Sequence, residues 1–320
     1  MFKEAAMVFF YCETPLHAGS GTNISHVDLP LQRERHTNYP IIQASGVKGA
    51  CRDWAEGLYK ANPAKRQEII QVFGPSTEQS SDHSGSLAFT DAQVLLFPVR
   101  SFVGGFAWIT CPLVLERFQR RLDMLEKTNE VMKAIQNLQP LEDCALTAAN
   151  CQVAMKEDDK ANGKVILEDM ALQQDVSQVQ ALGKLTTWLK DNALPCEPVF
   201  SYIKNRLEQS LVVVPDDYFQ DFVNLSTEVV TRIRIGETGT VETGALWSQE
   251  LLLADTVLYS LALAKDLPLK SNGRQTAQAS MQFLQGIINK GKILQVGGDE
   301  TVGRGLVRPR YYSVLKGGTS

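Results

Sequence analysis

Residues 7–52 read MVFFYCETPLHAGSGTNISHVDLPLQRERHTNYPIIQASGVKGACR. Met7 to Cys12 is an apolar run of strand length that stops at Glu13. From Thr14 to Asn38 the apolar residues keep neither a period of two nor one of 3.6, so a long irregular loop follows. The pattern then turns helical: Ser45 is a candidate N-cap, and Val47, Ala50, Cys51, Trp54 and Leu58 recur at helical spacing. So long a loop between a strand and a helix is unusual in a compact domain, and such loops more often carry function than idle. Its contents point the same way: Asp28 is flanked by His17, His26 and His36, with Arg33 and Arg35 after it.

Outward from this stretch, the polar tract GPSTEQSSDHSGS (Gly74–Ser86) reads as a surface connector. Residues 86–112 alternate as two or three strands broken at Pro98 and at Gly104-Gly105. Leu115, Phe118, Leu122, Leu125, Met132 and Ile135 predict one long amphipathic helix with a charged outer face. Cys144 to Lys190 is polar, contains the turn KEDDKANGK (Lys156–Lys164), and reads as an insertion without a core of its own. Pro195 to Pro215 holds a helix-length piece and the strand end VVVP. RIRIGETGTVETGALW (Arg232–Trp247) alternates as a β-hairpin with Gly236, Gly239 and Gly244 at its bends. Leu251–Ala264, apolar nearly all round, predicts a buried helix. Thr276 to Lys290 predicts another, closed by Gly291. The chain ends in a strand KILQV, a glycine loop GGDETVGRG and a strand LVRPRYYSVL, with no internal repeat. This order of elements fits α+β better than a doubly wound sheet.

Composition narrows the class. With 320 residues, 44% hydrophobic and 21% charged, the chain buries an ample core as one large domain or two ordinary ones. A net charge of -4 excludes a surface coated in positive charge, so any nucleic acid must be met by local basic patches. The six cysteines, Cys12, Cys51, Cys111, Cys144, Cys151 and Cys196, form no CxxC pair and no metal-ligand spacing. Reduced thiols, no run of transmembrane length and no signal-peptide pattern predict a soluble, cytoplasmic protein.

Each candidate site has a bland counterpart. Gly298, four residues and Gly303 nearly spell a P-loop, but Arg304-Gly305 replaces the Lys-[Ser/Thr] that a nucleotide hydrolase needs. The clustered Gly297, Gly298, Gly303 and Gly305 still suit an anion, and Arg304, Arg308 and Arg310 make RNA phosphate a candidate; a tight structural hairpin is the alternative. Lys48 and Arg52, one helical turn apart, can grip phosphates, as can Arg33 and Arg35, or they can simply be solvated. The histidines show no HxH or HxxxH spacing, so loop hydrogen bonding competes with metal binding. Asp28 sits among few other acids, which leaves a carboxylate available to a bound phosphodiester. In RNA the 2′-hydroxyl is its own nucleophile, and a carboxylate helps by taking its proton or holding a divalent ion.

Several stretches together resemble one family: TPLHAGSG, VDLPLQRERHTNYPII, SGVKGACR, LAFTDAQVLLFPVRSFVGGFAWITCPLVLERF, TVETGALWSQE and LQVGGDETVGRGLVR. They are similar to the backbone subunit of the type III-B CRISPR effector, the Cmr complex, in the RAMP superfamily. The match runs in order from residue 7 to 310, and Ser45, Lys48, Gly49 and Arg52 keep the family pattern S-x-x-K-G-x-x-R.

The resemblance implies a single RAMP domain over residues 1–320: a ferredoxin-like (RRM-like) palm, fingers inserted at about 113–195 and a β-hairpin thumb at about 226–247. It implies copies stacked head to tail along a guide CRISPR RNA, with thumbs splaying guide from target RNA and further Cmr subunits as partners. Asp28 is implied to cleave the target with a divalent cation, Mg²⁺ being the expected one, and His17 and Glu242 to neighbour that site. Ser45, Lys48 and Arg52 are implied to line the guide. The rivals are a non-catalytic scaffold of the same complex, the equivalent type III-A subunit, and a free-standing nucleotide-binding enzyme.

Overall fold

The computed structural model describes residues 1–22, 27–75, 84–125, 130–156, 163–268 and 274–313. His26, most of the polar tract after Gly74 and the middle of the turn after Lys156 lie outside the described residues. The fold is α+β, built on one extended sheet. At its centre Leu306–Tyr312, Glu4–Cys12, Val257–Ala264 and Ala92–Ser101 lie side by side in that order, every pairing antiparallel. Beyond Ala92–Ser101 the sheet continues through Gly105–Thr110, Leu211–Val213, Cys144–Leu146, Met170–Asp175, Lys164–Leu167 and Ala154–Met155.

Ala6 to Cys12 are all buried, so both faces of that central strand are covered. Phe9 meets Phe118 of the helix Pro112–Asp123 and Trp188 of the helix Val179–Asn192, edge to face, with ring centroids 6.1 and 6.0 Å apart. Tyr259 joins the cluster 5.3 Å from Phe118. Each such aromatic contributes about 1.5–3 kcal/mol by leaving water. A second group of helices, Ala44–Leu58, Pro63–Phe73 and Ala277–Lys290, meets where Phe283 touches Tyr59 and Phe73. The polar Cys144–Lys190 region forms no separate core: Leu146, Val165, Leu172, Leu185 and Leu189 belong to the same buried cluster as Phe9.

Five expectations need correction. The buried helix at Leu251–Ala264 is instead the end of one strand, Val241–Leu251, and a second, Val257–Ala264. The second lies between Glu4–Cys12 and Ala92–Ser101 in the interior of the sheet, and its residues are nearly all buried, as in a sheet covered on both faces. The single long helix after Leu113 is two among the described residues, Pro112–Asp123 and Glu130–Gln136. Pro98 does not break its strand; it lies inside Ala92–Ser101 opposite Trp108. The first helix starts at Ala44, with Gln43 as N-cap and Asp91 accepting the Ala44 N–H at 2.8 Å, so Ser45 is an exposed first-turn residue. The hairpin is longer at its base than its alternation suggests, pairing Glu228–Ile235 with Val241–Leu251.

Candidate functional site

The loop after the first strand has no period because it is stitched to backbone one residue at a time. Leu16 pairs antiparallel with Leu252, and Leu29 pairs parallel with Gln249. The edge of Val241–Leu251 that is not hydrogen-bonded to the other hairpin strand thereby carries both arms of the loop. Leu29 donates its N–H to the Ser248 carbonyl at 3.1 Å, and Glu250 donates to the Leu29 carbonyl at 3.0 Å.

This seam places Asp28. Its Oδ2 accepts the Ser248 backbone N–H at 2.7 Å and the Ser248 hydroxyl at 2.8 Å, while its own N–H donates to Ser248 Oγ at 3.0 Å. The carboxyl is exposed. The Ser248 N–H, then its hydroxyl, hold the Asp28 pKa below the usual carboxylate value, so the group stays ionised at neutral pH.

His17 is held on the same strand. Its Nδ1 donates to the Glu250 carbonyl at 2.8 Å. The side chain is only 8% exposed. Ser248 and Glu250 are two residues apart, so the anchors of Asp28 and His17 are roughly 7 Å apart along the strand. Glu242 is elsewhere. It pairs with Arg234 at 2.5 Å near the hairpin tip, six residues from Ser248 and roughly 20 Å along the strand. Within one chain the structure does not bring Glu242 to Asp28.

The arginines of the loop divide. Arg33 is interior: it pairs with Glu250 at 2.5 Å and donates to the carbonyls of Asn38 and Val223 and to Asn224 Oδ1. Arg35 is exposed. His36 is exposed too, and its Nε2 accepts from Arg117, which also pairs with Glu34 at 2.7 Å.

Glu250 ties the seam together by accepting the Leu31 N–H and the Thr227 hydroxyl besides Arg33. Burial pushes its pKa up, but Arg33 and these hydrogen bonds outweigh burial and leave it lowered.

The glycine loop packs its backbone against the start of the long loop. Gly298 donates to the His17 carbonyl at 2.9 Å and Gly305 to the Pro15 carbonyl at 2.9 Å. The N–H groups of Val302, Gly303 and Arg304 are bonded to carbonyls within the loop itself. Five of the donors that an anion nest would use are therefore committed inside the chain. Asp299 accepts from Arg232 at 2.8 Å and from Gln249 at 2.6 Å, which fastens the loop to the hairpin base. Arg304 faces Glu228 at 3.9 Å.

Lys48 and Arg52 share a face of the first helix. Arg52 donates to Glu56 at 2.9 Å and to the Pro75 carbonyl at 3.0 Å. Lys48 is half-buried; burial first, then the charges of Arg52 and Lys265, lower its pKa. Sequence reasoning missed Ser248, Gln249, Glu250, Arg232 and Asp299. Only Glu250, an acid at a strand end beside apolar residues, left a trace: a charge there needs a partner.

Comparison with known proteins gives the family. The pattern of the RAMP superfamily matches residues 9–308. The chain is 38% identical over 317 residues to the CRISPR system Cmr endoribonuclease Cmr4 of Pyrococcus furiosus, covering 98% of each. It superposes on the crystal structure of oligomeric Cmr4 from Pyrococcus furiosus with a TM-score of 0.70 at 28% identity, covering 98% of this chain and 99% of that one. A chain of the type III-B Cmr-beta complex in its apo state gives 0.69 at 25% identity, with 98% of each covered. The chain belongs to the RAMP superfamily, in its Cmr4 family.

Proposed function

We propose that this chain is the backbone subunit of a type III-B CRISPR effector in the cytoplasm, binding guide RNA and cleaving complementary target RNA at regular intervals. The observation that carries the reading is Asp28: an exposed, ionised carboxylate fixed to the base of a projecting hairpin. Support also comes from the relative named an endoribonuclease and from the oligomeric relative, which fits copies stacked head to tail through a heterologous interface.

The four central strands and the helices Ala44–Leu58 and Ala277–Lys290 follow the order β-α-β-β-α-β with the outer strands last and second in sequence, which supports a ferredoxin-like palm. Glu228–Ile235 with Val241–Leu251 is the thumb, and residues between about 113 and 195 supply the fingers.

In the proposed reaction the 2′-hydroxyl of the target attacks the neighbouring phosphorus and loses its proton to water, and the 5′-oxygen departs and takes a proton from water, leaving a 2′,3′-cyclic phosphate and a 5′-hydroxyl. Asp28 holds a fixed negative charge beside the reacting group. Its depressed pKa makes it a weak proton acceptor, so its charge would act by accepting a hydrogen bond from the 2′-hydroxyl or by holding a cation. His17, bonded to the Glu250 carbonyl two residues along the same strand from Ser248, is the neighbouring group of this site.

Among the described residues no three His, Cys, Asp or Glu side chains converge on one metal position. A single exposed carboxylate nevertheless fits Mg²⁺, which keeps several waters and is held by one or two carboxylates plus substrate phosphates. Asp28 is the residue that would hold such a cation, which would supply charge stabilisation when bound. Ser45, Lys48 and Arg52 face the guide backbone, with sequence left to base pairing.

The test is cleavage of labelled complementary RNA by the assembled, guide-loaded complex, wild type against Asp28→Asn, with Mg²⁺ or EDTA. Evenly spaced cuts that vanish with the substitution or the chelator support the reading. Tight target binding without cuts in the wild type makes the chain a scaffold.

A further inference from the structure

The geometry points to Ser248 as the positioning residue of Asp28, its amide and hydroxyl pinning Oδ2 to the hairpin strand so that Oδ1 is the oxygen left to face the RNA. The inference rests on the reading of Asp28 as the cleaving carboxylate and adds what aims it.

An exposed aspartate on a loop ordinarily samples its rotamers freely. Here three hydrogen bonds with one residue remove that freedom. The Ser248 hydroxyl is used twice, accepting the Asp28 N–H at 3.0 Å and donating to Oδ2 at 2.8 Å. It therefore fixes the backbone and the carboxyl of the same residue relative to each other. The Ser248 N–H adds the third bond at 2.7 Å, and the Leu29–Gln249 bridge keeps the next residue of the loop in register with the strand.

Ser248, which makes these bonds to the Asp28 side chain, belongs to the hairpin and not to the loop. Orientation of a catalytic group by a bonded neighbour is worth as much as its presence, because a small misplacement already costs rate.

Ser248→Thr and Ser248→Val test the assignment. Both are β-branched, suit a strand and have nearly the same shape, but only threonine keeps the hydroxyl. In the guide-loaded complex, target affinity is expected to be unchanged in both. The single-turnover cleavage constant is expected to fall ten- to a hundredfold in Ser248→Val, about the loss typical of a removed supporting bond, and to return to near wild type in Ser248→Thr.

Equal rates in Ser248→Val and wild type overturn the assignment, as does an equal loss in both variants, which marks shape and not the hydroxyl. Asp28→Asn, run alongside, separates the two readings. If it abolishes cutting while Ser248→Val cuts normally, only the role of Ser248 falls. If it cuts normally, both fall.

Discussion

Arg33 and Glu250 form an ion pair at 2.5 Å with side chains only 14% and 8% exposed, and it joins the middle of the long loop to the base of the hairpin. Two further acceptors on the guanidinium, the carbonyl of Val223 and Asn224 Oδ1, bring in the helix Asp216–Leu225. One arginine thus holds three separate parts of the chain. Glu250→Ala leaves that guanidinium nearly buried without its carboxylate, and a loss of about 3 kcal/mol in unfolding free energy is expected. Urea midpoints at unchanged slope measure it. An unaltered midpoint would show that the pair is incidental.

Glu250 and Glu34 also set an acid limit. Both have folded-state pKa values below the ordinary glutamate value, Glu250 through Arg33 and backbone donors, Glu34 through Thr37, Gln93 and Arg117, in each case against the upward push of burial. As pH falls, the unfolded chain takes up protons first. The stability these groups supply is therefore complete above about pH 5 and is lost as pH drops through the ordinary glutamate pKa, about 4.3, toward the lower folded values. Glu250→Gln and Glu34→Gln are each expected to flatten the fall of urea midpoint with acid. Curves parallel to wild type would refute the linkage.

Two glycines of the same loop should respond differently to alanine. Gly297 has φ +84°, and an added Cβ would lie 2.3 Å from the His17 carbonyl oxygen. Gly303 has φ +77° with nothing within 4 Å of such a Cβ. Gly303→Ala then costs only the left-handed backbone, about 1–2 kcal/mol, while Gly297→Ala adds a clash with backbone that must move. Thermal unfolding of the two variants is expected to rank Gly297→Ala clearly lower. Equal losses would mean that the glycine loop shifts away from His17 at no cost.

Lys48→Ala with Arg52→Ala addresses the guide. If both side chains neutralise guide phosphates, the double variant weakens guide binding and lowers the slope of log K against log salt by about 1.4, the value for two single-strand contacts. Filter binding over a salt series reads this directly. An unchanged slope removes the pair from the guide groove and leaves Arg52 as a tether of Glu56 and Pro75.

Much of the fold was legible where one face of an element meets solvent. The first helix buries Val47 and Cys51 of its expected stripe, and the C-terminal helix runs from Ala277 to Lys290, closed by Gly291 as expected. Val257–Ala264 was illegible because a strand covered on both faces has no alternation to read. Of the site, Asp28 was legible as an acid in a polar loop. Ser248 was not, since a serine in a strand carries no mark of the carboxylate it holds from 220 residues away. Arg33 looked like Arg35 in sequence, and only the fold separates the interior arginine from the solvated one.

The loop seated along Val241–Leu251 makes Asp28 a passenger of the hairpin. A hairpin that shifts along an RNA carries Ser248, and with it Asp28, by the same displacement. In the proposed reaction the spacing of the breaks is then inherited from the spacing of the hairpins, as a punch riveted to its own gauge marks only the intervals the gauge is set to.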